Sequence, residues 1–298
     1  MGRNPPAVWC AHVEEFARGL KGCGGASGRD ACVIDPLLSP FALTMQSSES
    51  KLPWLAPSAP FPRPDRAWGA SDPAPGLLAG GGALDVESLT RAYSLGIFPW
   101  FSDDQPILWW SPDPRMVLQV NDFKLHRSLR KTLGRFQRDA RCKIRIDSAF
   151  VQVIRACSAS ARTGQSGTWI VPDMVLAYEA LHGAGLAHSV ETWVGGQLMG
   201  GLYCVALGHA VFGESMFTRV PDASKIALAA LVCFCRHNGI DLIDCQQNTG
   251  HLASLGAREI SRASFVNQVA HNSALPAPRW QFEHVYWREL LPAKTVPT

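Results

Sequence analysis

The chain has 298 residues, 47% of them apolar and 18% charged, with a formal net charge of +3. That is enough apolar material for one large core or two ordinary ones, and it excludes a globally disordered chain. No apolar run reaches the ~18 residues that span a bilayer, and nine cysteines without paired CxxC spacing exclude a disulfide framework or a zinc ribbon.

Residues 1–10 lack the basic-then-apolar order of a secretory signal. Together with the cysteine usage this points to a reducing cytoplasm. Residues 1–50 differ in composition from the rest and carry no motif. They read as a poorly ordered extension with a short helix at 13–20. Met45 is an alternative start, and a chain beginning there is expected to keep full activity.

Residues 51–115 read as a small N-terminal domain. Seven prolines between 51 and 75 predict irregular, extended chain. Gly80-Gly81-Gly82 predicts a flexible turn. Asp85 predicts the cap of a helix over 86–95 that Gly96 ends. Phe98, Trp100, Phe101, Trp109 and Trp110 then crowd around short strands and turns. They are either the stitched core of a small domain or a wall for a bulky apolar ligand.

A larger domain is expected over 116–298. Leu125, Leu129, Leu133 and Phe136 recur at helical spacing, with Arg127, Lys131, Arg135 and Arg138 on the opposite side. Residues 124–145 hold nine Lys or Arg against one acid, Asp139. That local +8 leaves −5 for the rest. Such a stripe is either a solvated face or a phosphate contact. A strand at 143–146 follows, then a helix from Ser148 to about Ala161 capped by Asp147. Next come a polar loop at 162–167 and a helix from Pro172 to Gly183. Two strands, 187–194 and 197–206, are joined by Gly195-Gly196, a hairpin signal. A third strand covers 209–217.

The last part reads as strand, helix, strand. Phe212-Gly213-Glu214-Ser215-Met216-Phe217 is followed by a capped helix over 223–237, then by residues 240–246. A βαβ unit of this kind places its two strands parallel in one sheet. Strand alternation predicts that Phe212, Glu214 and Met216 share one face, as do Leu242, Asp244 and Gln246. Carboxylates at such positions are either satisfied structural acids or functional ones. The order β-α-α-β-β-β-α-β matches the coarse plan of the acyl-transferase fold of many N-acetyltransferases, and fold order alone does not give function. The class is α+β: an acetyltransferase-like mixed sheet preceded by a small α+β domain.

Several blocks together resemble bacterial leucyl/phenylalanyl-tRNA–protein transferases. They are Arg91-Ala92-Tyr93, Gly96-Ile97-Phe98-Pro99-Trp100-Phe101 and Trp109-Trp110-Ser111-Pro112-Asp113-Pro114-Arg115. Further on are Gly167-Thr168-Trp169-Ile170, the Phe212 to Phe217 block, Ile243-Asp244-Cys245-Gln246, and His251-Leu252-Ala253-Ser254-Leu255-Gly256-Ala257. The resemblance implies a cytoplasmic monomer without metal or coenzyme. It would move Leu or Phe, and also Met, from aminoacyl-tRNA to proteins that begin with Lys or Arg, marking them for degradation. It implies Asp244 as the base, Gln246 as the residue that holds the reacting groups, and Glu214 as their supporting carboxylate. Tyr93, Trp100 and Trp169 would surround the aminoacyl side chain or the terminal adenosine. Leu231 stands where some relatives carry Phe in the pocket. Arg127, Arg130, Lys131 and Arg135 would face tRNA phosphate.

Two other classes compete. An acyl-CoA-dependent N-acetyltransferase uses a Gly-rich loop whose amides cradle pyrophosphate at a helix start. Here that loop, residues 218–225, has no glycine and contains Pro221, which lacks a donor. A non-catalytic RNA-binding module would use the basic helix and would need no arrangement of Glu214, Asp244 and Gln246.

Overall fold

Prolines and aromatic rings shape the first described stretch of the chain. The computed structural model describes residues 52–160 and 170–291. The expected extension at 1–50, its helix at 13–20, the loop at 162–167 and Trp169 lie outside the described residues. The chain divides into two units, Met1–Asp113 and Pro114–Thr298. Arg115, the last residue of the small domain as the sequence bounds it, lies in the second unit, just after Pro114.

The first unit contains β1 (Trp54–Leu55), β2 (Leu77–Gly81), α1 (Val86–Ser94), β3 (Phe98–Pro99) and β4 (Leu108–Trp110). The strands form one sheet in the order β1-β2-β4-β3. The turn expected at Gly80-Gly81 is instead the end of a strand paired on both sides. Trp54 pairs with Gly80, and its ring lies where a side chain would project: a Cβ on Gly80 would come within 2.8 Å of that ring. Gly81 has φ +77 and would meet the Leu55 carbonyl at 2.7 Å. These glycines allow close approach rather than flexibility. Asp85 caps α1 as expected, accepting from the Ser88 N–H at 2.7 Å. Trp109 and Trp110 are fully buried. Their indole N–H groups donate to the carbonyls of Gly81 and Trp100 at 2.8 and 2.7 Å. They are satisfied core residues.

The second unit contains β5 (Arg115–Gln119), α2 (Arg127–Arg138), β6 (Cys142–Ile146), α3 (Phe150–Ser158) and α4 (Pro172–Gly183). It continues with β7 (Ala187–Val194), β8 (Gln197–Leu207), β9 (Ala210–Thr218), α5 (Ala223–His237) and β10 (Leu242–Asp244). After these come α6 (Gly250–Ser254), β11 (Arg258–Ile260), α7 (Arg262–Ser273) and a 3-10 helix at His284–Glu289. Seven strands form one sheet in the order β11-β5-β10-β9-β8-β7-β6. β9 and β10 are parallel, as the crossover through α5 requires, and the other pairings are antiparallel. The architecture is α+β with a mixed sheet.

One face of this sheet packs on α2 and α5 through Met116, Leu118, Leu202, Val211 and Ile243. The opposite face receives α3, α4 and α7. Adjacent residues in β8 show the division. A Cβ on Gly200 would strike Ala223 of α5, whereas one on Gly201 would meet Val153 of α3. Buried α5 is apolar on nearly every side, including Cys233 and Cys235. No helix among the described residues is long and apolar enough to cross a membrane.

The expected cap of α3 is corrected. Asp147 sits at φ +57 and turns away, accepting from the Ser189 N–H at 2.8 Å and pairing with His188 Nδ1 at 2.7 Å. Glu191 of β7 takes over, accepting from the Ala149 N–H at 2.7 Å and from the Ser148 hydroxyl. It also accepts from the Ser189 hydroxyl and from Trp193 Nε1, both at 2.8 Å. A carboxylate with no exposure needs that many donors.

Candidate active site

β8 and β9 fall out of register at one point. Tyr203 faces Ser215, but the next residue, Cys204, faces Gly213. Glu214 is thus the extra residue of a bulge, a device that re-aims one side chain. Simple alternation fails here. Phe212 packs on Phe265 of α7, while Met216 packs on the cluster that includes α5, so the two lie on opposite faces. Freed from the pleat, Glu214 accepts from Tyr178 of α4 through Oε2 at 3.3 Å and from Gln246 Nε2 through Oε1 at 3.2 Å.

Strand β10 ends at Asp244, so Gln246 does not share its face by alternation either. Gln246 lies beyond the strand at φ +53, in the left-handed region that L side chains disfavour. Its backbone is held at both ends. Its N–H donates to Asp244 Oδ1 at 3.0 Å, and its carbonyl accepts from the Met116 N–H at 3.2 Å. The result brings Glu214 and Gln246 together as expected, by a route that alternation does not describe.

Asp244 is fully buried and carries a partner that the sequence reading did not single out. Arg115 Nε donates to Oδ1 at 2.8 Å and Nη2 to Oδ2 at 2.6 Å. The two side chains are 1% and 0% exposed. The Phe265 ring lies over the guanidinium, 4.4 Å from it. Charges this deep persist only when paired. Arg115 stands at the head of the apolar run Met116-Val117-Leu118. A cation there demands a buried acid, and that was the signal available in the sequence. Both Asp244 oxygens thus accept from the Arg115 guanidinium, and Oδ1 also takes the Gln246 N–H.

Tyr93 and Trp100 belong to the first unit. Tyr93 is fully buried in α1, and Trp100 packs edge-on against Trp110 at 5.5 Å. Leu231 is 1% exposed within α5. It shares an apolar cluster with Ile243, the neighbour of Asp244, and with Met216 on the Glu214 strand. Arg127, Arg130, Lys131 and Arg135 are all exposed on α2, whose Leu129, Leu133 and Phe136 are buried. Among the described residues, no three His, Cys, Asp or Glu side chains converge as a metal site would require.

Comparison with known proteins agrees along most of the chain. The family model described as leucyl/phenylalanyl-tRNA protein transferase matches residues 117–270, and that of its N-terminal domain matches 82–113. The leucyl/phenylalanyl-tRNA–protein transferase of Albidiferax ferrireducens is 63% identical over 254 residues, which is 85% of this chain and 100% of the relative. The chain belongs to the leucyl/phenylalanyl-tRNA protein transferase family. The transferase of the same name from Polaromonas sp. is 65% identical over 243 residues, 82% of this chain and 95% of its own. Among solved structures, L-PGS from Bacillus licheniformis aligns over 67% of this chain and 62% of its own. Its TM-score of 0.31 and 12% identity are too slight to bear on the argument. In this transferase-family chain, Arg115, Asp244, Glu214 and Gln246 all lie in the second unit, and all but Arg115 lie inside the larger family match.

Proposed function

We infer that this protein is an aminoacyltransferase that moves a leucyl or phenylalanyl group from tRNA to the amino terminus of a protein. The observation that carries this is the 63% identity to a transferase covered over its whole length. The joined Glu214, Gln246 and Asp244 network supports it from the geometry.

The chemistry asks for orientation more than for activation. The amine nitrogen attacks the ester carbonyl carbon and forms the new N–C bond. The bond from that carbon to the ribose oxygen breaks, and the proton lost by the amine ends on that oxygen. An α-amine has an ordinary pKa of about 7.7–8.0, so a useful fraction is already neutral near pH 7. Holding amine and ester together supplies about 7–11 kcal/mol. Gln246 is suited to that task, because one N–H of its Nε2 goes to Glu214 and fixes the amide, whose oxygen can then accept from an N–H of the amine. Glu214 is the anion suited to a cationic acceptor terminus, which favours proteins beginning with Lys or Arg.

Tyr93, Trp100, Trp169 and Leu231 are assigned, on the family resemblance, to recognition of the aminoacyl group, which is Leu, Phe or also Met. A methylene more or less is worth about 1–3 kcal/mol in an apolar pocket. Arg127, Arg130, Lys131 and Arg135 present an exposed cationic row for tRNA phosphates. The second unit is read as an acetyltransferase-like domain, and the enzyme as a cytoplasmic monomer that marks its acceptors for degradation.

An acyl-CoA enzyme on the same plan is less suited to this chain. Asp222 sits at the N-cap of α5 at φ +66. Its carboxylate accepts from Lys225 at 2.9 Å and from Thr132 at 3.3 Å. An acid at the helix start repels pyrophosphate where such enzymes hold it. The test is to incubate the protein with Leu-tRNA and a peptide beginning with Arg, and to weigh the peptide. Leucine addition without coenzyme A binding is expected. Coenzyme A binding without transfer would reverse the assignment.

A further inference from the structure

Gln246 is held in a conformation that a glutamine does not choose for itself, and the groups that hold it lead back to one buried cation. Its φ of +53 lies in the left-handed region. Nothing in its own side chain stabilises that turn, because its amide reaches away to Glu214 at 3.2 Å. The restraint comes from the backbone. The N–H of Gln246 is fixed by Asp244 Oδ1 at 3.0 Å, and its carbonyl by the Met116 N–H at 3.2 Å. The Cys245 N–H, just before it, donates to the Met116 carbonyl at 2.9 Å.

Arg115 stands behind both restraints. It precedes Met116 on β5, and β5 is paired with β10 from Val117–Asp244 to Gln119–Leu242. Its two nitrogens grip Asp244 at 2.8 and 2.6 Å, which sets the plane of the carboxylate whose Oδ1 takes the Gln246 N–H. The Phe265 ring at 4.4 Å closes the guanidinium in. A planar fork fixes a carboxylate in rotation as well as in position, which a lysine ammonium does not do. Backbone strain at a site persists only when its surroundings over-determine it.

We propose that Arg115 is a positioning residue of the transfer site, acting through Asp244 to hold Gln246 in the left-handed turn that aims its amide between Glu214 and the incoming amine. Asp244 then serves as an anchor for the Gln246 backbone rather than as the acceptor of the amine's proton. The inference rests on the transferase reading of the same site and goes beyond it by naming what orients Gln246. Arg115 touches no reacting atom in this account. A small displacement of Gln246 is enough to slow transfer, since a misplacement of about 1 Å costs about 10²-fold.

The test uses single-turnover transfer from Phe-tRNA to an Arg-leading peptide, with thermal unfolding measured on each variant. Arg115→Lys keeps the charge and loses the fork. It is expected to slow the transfer step by about 10²-fold while leaving the Kd for Phe-tRNA and the KM for peptide within about twofold. Gln246→Gly removes the amide. Adding Arg115→Lys to Gln246→Gly is expected to cost little more, because both act through one group. Should Arg115→Lys fail to fold, the pair Arg115→Met with Asp244→Leu removes both charges together and is the better tolerated change. That pair is expected to fold and to be as slow as Gln246→Gly. Wild-type rates in a folded Arg115 variant, or losses that multiply in the double variant, overturn the proposal. Failure of the wild-type protein to transfer Phe in this assay overturns the transferase reading instead, so the two failures are separable.

Discussion

Replacing Asp244 by Asn separates two things that the structure joins at one residue, and the magnitudes differ enough to be read apart. The substitution keeps the shape and removes the negative charge from a pair that is 1% and 0% exposed. The Arg115 guanidinium then stays buried against a neutral amide. Breaking a buried pair by neutralising one partner costs about 3–5 kcal/mol. Against a typical domain stability of about 5–15 kcal/mol, that leaves about 0–12 kcal/mol, so the folded fraction is measured beside the rate. With an m-value near 2 kcal/mol/M, the urea midpoint should fall by about 1.5–2.5 M. The transfer rate should fall as well, by about 10²-fold, because the Oδ1 that takes the Gln246 N–H is no longer held by a charged fork. A general base would contribute about 10²–10⁴-fold and would also impose its own acid limb on the pH–rate profile. The assay is single-turnover transfer from Phe-tRNA to an Arg-leading peptide between pH 6 and 9, beside urea unfolding by circular dichroism. The expected Asp244→Asn profile is lower than that of the wild type and has the same shape. A midpoint unchanged within about 0.3 M would refute the buried-pair argument, since m near 2 kcal/mol/M makes that about 0.6 kcal/mol. Loss of the acid limb in the variant would restore Asp244 as the proton acceptor.

Other outcomes follow from the same geometry. Replacing Arg127, Arg130 and Lys131 by Ala should weaken Leu-tRNA and Phe-tRNA binding alike, and should lower the slope of log K against log salt by about 2–3. An effect confined to one tRNA would mean that these residues read sequence. Glu214→Gln keeps one of the two oxygens that accept from Tyr178 and Gln246, puts a donor NH2 in place of the other, and loses the charge. The KM for an Arg-leading peptide should rise by about 10-fold or more, given about 1.5–3 kcal/mol for a charge-assisted bond, and an unchanged KM would remove Glu214 from acceptor recognition. Burial pushes the Cys233 thiol up to about 12 and the Cys204 and Cys235 thiols up as well. These three should resist Ellman's reagent at pH 8 in the native protein and react in denaturant. Modification of any of them in the folded state would show that α5 opens.

Periodicity and punctuation made much of this protein legible from its residues alone. Apolar spacing marked α2 and its cationic side, Pro172 and Gly183 bounded α4, and Gly195-Gly196 marked the hairpin between β7 and β8. The crossover through α5 required β9 and β10 to be parallel, and they are. These signals are local, since each arises within one turn or one strand. The joint motifs likewise carried the family, because blocks of sequence retain identity without reference to contacts.

The tertiary structure decided what no local signal carries. The bulge at Glu214 depends on the register of β8 against β9, and it overrode alternation at a candidate site residue. Gly80 and Gly81 looked like a turn because glycine permits one. The ring of Trp54, 26 residues before Gly80, made them a strand instead. Asp147 lost the cap of α3 to Glu191, 44 residues later, because a buried carboxylate must find donors wherever the fold places them. The partner of Asp244 lies 129 residues away on β5. A strand's pattern states that Arg115 needs a buried anion, but only the sheet order β5-β10-β9 determines which one it meets.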